Sequence, residues 1–303
     1  IWLVARSGSS IESIGHWMGA FNLLEWAVRD QFFRWRSPHQ KDERIVVVTI
    51  DEADIKSVGT WPITDDTLAQ LLINIRSQSP RVIGLDLYRD LPEEPGHQRL
   101  LEVFGTTAQL IGVEVINDAK ITPPPVLAES GQVAIADLVL DEDQNIRRAL
   151  LSVGSQDGSA NIKLSLGAQA ALNYLAPEGI NLEMVDEKKG HFRLGRALFR
   201  PLVAGAAGYQ TDLEGYQILM NWYGASDRFL NISMQEVLEG NIPPDLMRDR
   251  IVYIGSIATS TNDFFSTPYN SGFQSQEIPM AGVFIHANIT SFMLESALNG
   301  RAL

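Results

Sequence analysis

Ile45, Val46, Val47, Val48, Thr49 and Ile50 form a β-branched run with no polar alternation, and it stops at the carboxylate pair Asp51 and Glu52. A strand half exposed to water alternates apolar and polar residues, so an unbroken run predicts a strand buried on both faces, as in a parallel sheet. Downstream, Leu68, Leu71, Leu72 and Ile75 recur at helical spacing behind the capping candidates Thr64, Asp65 and Asp66. A second apolar run, Val82 to Leu85, then ends at Asp86. Strand, helix and strand make a β-α-β unit with a right-handed crossover. Asp51 and Asp86 are therefore expected near each other at the carboxyl edge of the sheet, where open α/β folds place their ligand crevice.

The rest of the chain extends this pattern. Residues 10–36 read as an aromatic-rich amphipathic helix carrying Trp17, Phe21, Trp26, Phe33 and Trp35, with Arg29, Arg34 and Arg36 towards its end. Gln109 to Ile116 is a predicted strand, Pro123 to Pro125 a stiff connector, and Val133–Leu140 with Ile146–Val153 a hairpin around the polar turn Asp141–Asn145. Leu164 to Leu175 is a predicted helix and Leu182 to Leu194 a second hairpin. Tyr216–Tyr223, Ile251–Ile254 and Val283–Ile285 are predicted strands, the last running into His286 and a closing helix from Ala287 to Leu298. The fold class is α/β: a mixed, partly parallel central sheet with flanking helices and inserted antiparallel hairpins.

Charge and composition exclude several function classes. The net charge is -13 across 303 residues, with no extended basic patch, which disfavours nucleic acid as a partner. Without cysteine there is no disulfide, thiolate chemistry or cysteine-ligated zinc. The five histidines show no ligand spacing such as H-E-x-x-H, and no Walker A, G-x-S-x-G or G-x-G-x-x-G motif occurs. Asp141, Asp143 and Asn145 imitate the start of a calcium loop, but Ile146 stands where that loop needs glycine and Ser152 where it needs glutamate. Neither a catalytic residue, a metal nor a cofactor is expected. No stretch reaches the ~18–20 uninterrupted apolar residues of a membrane span. The chain as given is therefore expected to be soluble, and its opening at Ile1 suggests a segment of a longer protein with flanking spans.

Several ordered segments carry a family resemblance. Arg44-Ile-Val-Val-Val-Thr-Ile-Asp51, then Gly59, Trp61 and Pro62, then Val82-Ile-Gly-Leu-Asp86 resemble the second type of CHASE domain, an extracellular sensor associated with cyclases and histidine kinases. The likeness continues through Val237-Leu-Glu-Gly240, Ile242-Pro-Pro244, Ile251-Val-Tyr-Ile-Gly255, Asp263-Phe264, Thr267-Pro268 and Gly282-Val-Phe-Ile-His-Ala-Asn288. Where the family usually has Asn-Tyr-Arg-Gly, this chain has Asn221-Trp-Tyr-Gly224.

The resemblance implies a noncatalytic extracytoplasmic sensory domain of a bacterial inner-membrane receptor, binding an unknown small molecule or signal and coupled to a cytoplasmic cyclase or kinase. It implies a juxtamembrane-type helix over residues 1–40 and the sensor domain over 41–303. The expected ligand crevice is formed by Asp51, Glu52, Trp61, Asp86, Asn221, Asp263 and His286. A homodimer is expected through Trp17, Phe21 and Trp26 of the first helix. The competing enzymatic reading is a magnesium-dependent phosphohydrolase or phosphoacceptor domain using Asp51, Glu52 and Asp86. Against it, the receiver and haloacid-dehalogenase spacings both fail: one helix alone separates Asp51 from Asp86, and Ala53 stands where a second aspartate belongs.

Overall fold

An all-apolar strand needs cover on both faces, and every residue of Ile45–Ile50 (β1) is buried. Ile45 and Val47 face one core, while Val46, Val48 and Ile50 face the other. The computed structural model describes residues 24–36, 40–117, 120–154, 162–207, 209, 213–270 and 279–300. Helix α1 (24–35) leads towards β1. After β1 come α2 (Glu52–Val58), α3 (Asp65–Ser77), β2 (Val82–Asp86), α4 (His97–Gly105), β3 (Leu110–Glu114), α5 (Pro125–Glu129) and β4 (Val133–Ile135). A long inserted segment holds β5 (Arg148–Gly154), β6 (Ile162–Leu164), α6 (Leu166–Leu175), β7 (Leu182–Asp186), β8 (His191–Leu194), β9 (Ala197–Phe199) and β10 (Tyr216–Leu219). The chain then returns through β11 (Leu230–Ser233), α7 (Met234–Leu238), β12 (Ile251–Ser256) and the short β13 (Phe264–Phe265) and β14 (Met280–Ala281) to α8 (Gly282–Asn299).

The central sheet has the order β11-β1-β12-β2-β3-β4, and every pairing in it is parallel. Antiparallel pairing is confined to the smaller sheets β10-β5-β6, β7-β8-β9 and β13-β14. Each crossover within the central sheet advances in one direction, so right-handed connections put their helices on one face. Residues of α3, α4, α5 and α7 accordingly share one core with Val46, Val48 and Ile50. The other face is covered by α6 and α8 together with the inserted sheets. Helix α8 is buried almost all round, from Gly282 to Leu294 without a break.

Three expectations are corrected. β12 lies between β1 and β2, so Asp51 and Asp86 end strands that are not neighbours. Val283–Ile285 is the first turn of α8 and not a strand, because a three-residue apolar run has the same pattern in either structure. The hairpin around Asp141–Asn145 does not form: β4 pairs with β3, and β5 pairs with β10 and β6.

The polar turn serves instead as the centre of a buried ion network, with guanidinium groups where the calcium-loop pattern would have placed a metal. Arg147 donates to Asp30 of α1, Asp141 and Asp143 at 2.7–3.0 Å, and Arg148 donates to Asp141 at 2.7 Å. Burial would lower the Arg147 pKa, but the carboxylates of Asp143 and Asp30 raise it well above its usual value. Trp26 stacks on Tyr209, with ring centroids 5.3 Å apart, and lies under the Arg147 guanidinium. Trp26 therefore packs inside its own domain and does not present itself to a second copy. Trp17 and Phe21 lie outside the described residues. The outward face of α1 carries Leu24, Val28, Phe32 and Trp35.

Val47→Asp would place an unpaired charge where the native side chain has no solvent exposure. It should cost more than about 4 kcal/mol, read as loss of the cooperative urea transition. A variant that melts like the parent would refute the central placement of β1.

Candidate functional site

The carboxyl edge of the sheet gathers three apolar strands or loops that end in carboxylates. Asp86 closes β2, Asp137 follows β4, and Asp263 precedes β13. The first turn of α8 drops onto this edge because two glycines permit it. A Cβ on Gly255 would stand 2.6 Å from Val283 Cβ, and one on Gly282 would stand 2.6 Å from Asp263 Oδ2. This close approach carries the His286 ring into the carboxylates, with Nε2 3.8 Å from Asp86 Oδ1.

The groups differ in how well they are satisfied. Asp137 accepts backbone N–H bonds from Ile116 and Asn117 at 3.0 and 3.1 Å, so both of its oxygens are engaged. Asp86 has no lysine or arginine acting on it among the described residues, and burial pushes its carboxyl up to about 7. Asp263 is pushed up to about 6, first by burial and then by the Asp86 charge. His286 is 1% exposed. Its Nδ1 has no hydrogen-bond partner among the described residues, and burial lowers its pKa to about 4. Although Asp86 and His286 stand at ion-pair distance, these directions make them a neutral acid and a neutral imidazole in mildly acidic solution. Tyr88, half exposed at the rim, is raised by burial and then by the Asp86 charge.

The remaining expected crevice residues are placed elsewhere. Asp51 is the N-cap of α2 and forms a reciprocal capping box with Asp54, whose other oxygen accepts from the Gln235 backbone at the start of α7. Glu52 accepts from Ser260 N at 2.8 Å and Thr259 Oγ1 at 3.1 Å. The Ser260 backbone bond is the main cause of its lowered pKa. Trp61 is 37% exposed and stands in the connection between α2 and α3. Asn221 bonds Arg36 beyond α1 and the Tyr223 hydroxyl. Of the three carboxylates of the phosphohydrolase reading, Asp51 and Glu52 are thus held by separate partners of their own, apart from Asp86. Among the described residues no group of three or more His, Asp or Glu can hold a metal ion.

Two features escaped the sequence reading. Asp137 was legible in principle, since Val133-Ala-Ile-Ala-Asp137 repeats the pattern of an apolar run closed by a carboxylate. The second had no local signal. At the amino edge of the sheet, Arg44 makes a two-pronged bond to Asp42 at 2.7 Å and also reaches Glu295 on α8. Ser291 of α8 donates to Asp42 at 2.6 Å, and Arg228 donates to Ser291 at 3.0 Å. Asp42, Arg44, Arg228 and Glu295 border a polar cavity of about 810 Å³. Helix α8 therefore runs from the carboxylate cluster at one edge of the sheet to this ionic cluster at the other.

The model of the CHASE2 domain family matches residues 7–303. Comparison with curated proteins and with solved structures gave no match. Among the described residues no helix is long and apolar enough to cross a membrane.

Asp86→Asn should reveal the cost of the buried acid through pH. Asp86 titrates at 3.8 when unperturbed and at about 7 when folded. Folding therefore takes up a proton between those values, and the stability from the neutral acid is lost as pH rises through about 7. His286 acts in the opposite sense, with stability lost as pH falls from 6.5 towards about 4. The variant cannot ionise at position 86, so its stability relative to the parent should rise by roughly 2–4 kcal/mol between about pH 4 and pH 8, measured by urea denaturation. A pH-independent difference would show that Asp86 is not a buried, uncompensated acid.

Proposed function

This chain belongs to the CHASE2 family, whose members are extracellular sensory domains, not catalytic ones, found in cyclase and kinase receptors, and from that premise we propose that it is the extracytoplasmic signal-binding domain of a bacterial transmembrane receptor. In this reading membrane spans flank it in the full-length protein, and a cytoplasmic cyclase or kinase carries the output. The observation that carries the proposal is the family match over nearly the whole chain. The signal site is the carboxyl-edge crevice around Asp86, Asp263 and His286, which supplies what a sensor needs: polar groups whose partners are incomplete until something binds.

The route of transmission is α8. His286 stands just after its first turn, and Ser291 and Glu295, in its middle and later turns, are held against Asp42 and Arg44, immediately before β1. A displacement of one or two ångströms in a packed helix is the scale on which such switches work. A signal at the crevice moves α8, and α8 moves the segment joining α1 to β1.

Two substitutions in a full-length receptor test this. Asp263→Asn should leave the domain folded while its output, read as cyclic nucleotide or phosphotransfer in membranes, loses its response to the signal. Asp51→Ala removes the side-chain acceptor that caps α2 and should cost about 1 kcal/mol of stability while the response is kept. An unaltered response in Asp263→Asn, with its loss in Asp51→Ala, would place the site on the other carboxylates.

A further inference from the structure

Buried carboxylates are normally paired with a cation or take a proton. Around His286 the elements packed together contribute Asp86 from β2, Tyr88 from the loop after it, Asp137 from beyond β4, Asp263 from the loop after β12, and Tyr253 from β12. The Tyr253 hydroxyl is occupied by Thr290 at 2.6 Å, and Asp137 is occupied by two backbone N–H groups. That leaves Asp86, Asp263 and His286 facing one another at the root of α8. The described residues give Asp86 no hydrogen-bond donor and no neighbouring guanidinium or ammonium. His286 likewise has its Nδ1 buried and unpartnered.

We propose that this cluster is a proton-binding site, and that its occupancy sets how tightly the first turn of α8 packs on the carboxyl edge of the sheet, making the domain responsive to extracytoplasmic pH. The inference rests on the sensory reading above and names the proton as a signal for the same site. With the proton bound, Asp86 is a neutral acid able to donate to a carboxylate or to imidazole, and it adds no charge to the cluster. When solvent removes that proton, a further negative charge appears in a buried cluster to which the described residues bring no lysine or arginine. Relief comes from admitting water, which requires the first turn of α8 to lift from Gly255. The close fit of Val283 on Gly255 and of Asp263 on Gly282 makes this turn sensitive to such a change. Its effect would reach Asp42 and Arg44 through Ser291 and Glu295.

The test uses the chain itself in two measurements. Infrared difference spectra across a pH titration read protonated carboxylic acid directly. A carboxylic C=O band should be lost with a midpoint at about 7, and Asp86→Asn should lack that step. Hydrogen exchange, corrected for the intrinsic pH dependence, should show the Gly282–Asn288 amides several-fold less protected at about pH 8 than at about pH 6 in the parent, and equally protected in Asp86→Asn. Asp263→Asn serves as the second variant and should shift the midpoint of the band downward by removing a neighbouring negative charge.

Absence of the band, its persistence unchanged in Asp86→Asn, or exchange that does not vary with pH would each overturn the proposal. Both readouts are taken on the isolated chain and stand whatever an intact receptor does. A receptor that ignores every substitution at the crevice would fail the sensory reading while leaving the proton site in place.

Discussion

A wholly parallel sheet has no face that can be left to water, and the cover of its second face is the constraint on which this molecule depends. Crossovers advancing in one direction place α3, α4, α5 and α7 on the first face. The second face must then be closed by segments that are not crossovers within the sheet, and α8 is the centre of that closure, packed against α6, β1 and β12. A helix so placed is buried all round, and it should be apolar all round. Yet α8 carries His286, Asn288, Thr290, Ser291 and Ser296 in the interior. Thr290 and Ser291 are hydrogen-bonded to groups elsewhere in the fold: Thr290 to Tyr253 and to the Gly167 carbonyl, Ser291 to Asp42 and Arg228. Asn288 is partnered within the helix. His286 Nδ1, Asn288 Oδ1 and Ser296 Oγ have no partner among the described residues, and of these side chains His286 is the one set against a carboxylate, its Nε2 3.8 Å from Asp86 Oδ1.

The same constraint explains what the sequence shows and what it hides. β1 was legible because burial on both faces leaves an unbroken apolar signature, and β2 and β12 were legible for the same reason. The cap at Thr64 was legible because a side-chain oxygen before an amphipathic segment has a local mechanism. Strand order was not, since the insertion of β12 between β1 and β2 is decided by packing between residues some two hundred positions apart. The Asp141 turn misled for a related reason. Two apolar runs about a polar turn describe a hairpin locally, while the partners that decide the matter, Asp30 and Tyr209, lie far away in the chain.

The candidate site was half legible. Asp86, Asp263 and His286 were expected together and are together, whereas Asp51 and Glu52 turned out to be committed to helix and loop capping. A carboxylate closing a strand has two uses, to cap the next helix or to face the crevice. Only the neighbouring chain decides between them. At Asp51 the next residues begin a helix whose N3 position is another aspartate, which completes a reciprocal cap. At Asp86 the chain continues into an irregular loop with no amide to receive, and the carboxyl is left to the interior.

Coupling of the two edges of the sheet by α8, as one body, is open to direct measurement. A double-mutant cycle between Asp86→Asn at one end and Ser291→Ala at the other measures that coupling in urea denaturation of the chain. The two positions touch different partners, so independent sites would give additive effects to within about 0.3–0.5 kcal/mol. Coupling through α8 should give an interaction energy beyond that limit, because relaxing the first turn of α8 changes the strain felt at Ser291. Strict additivity would contradict it and reduce α8 to a lid that happens to span both edges.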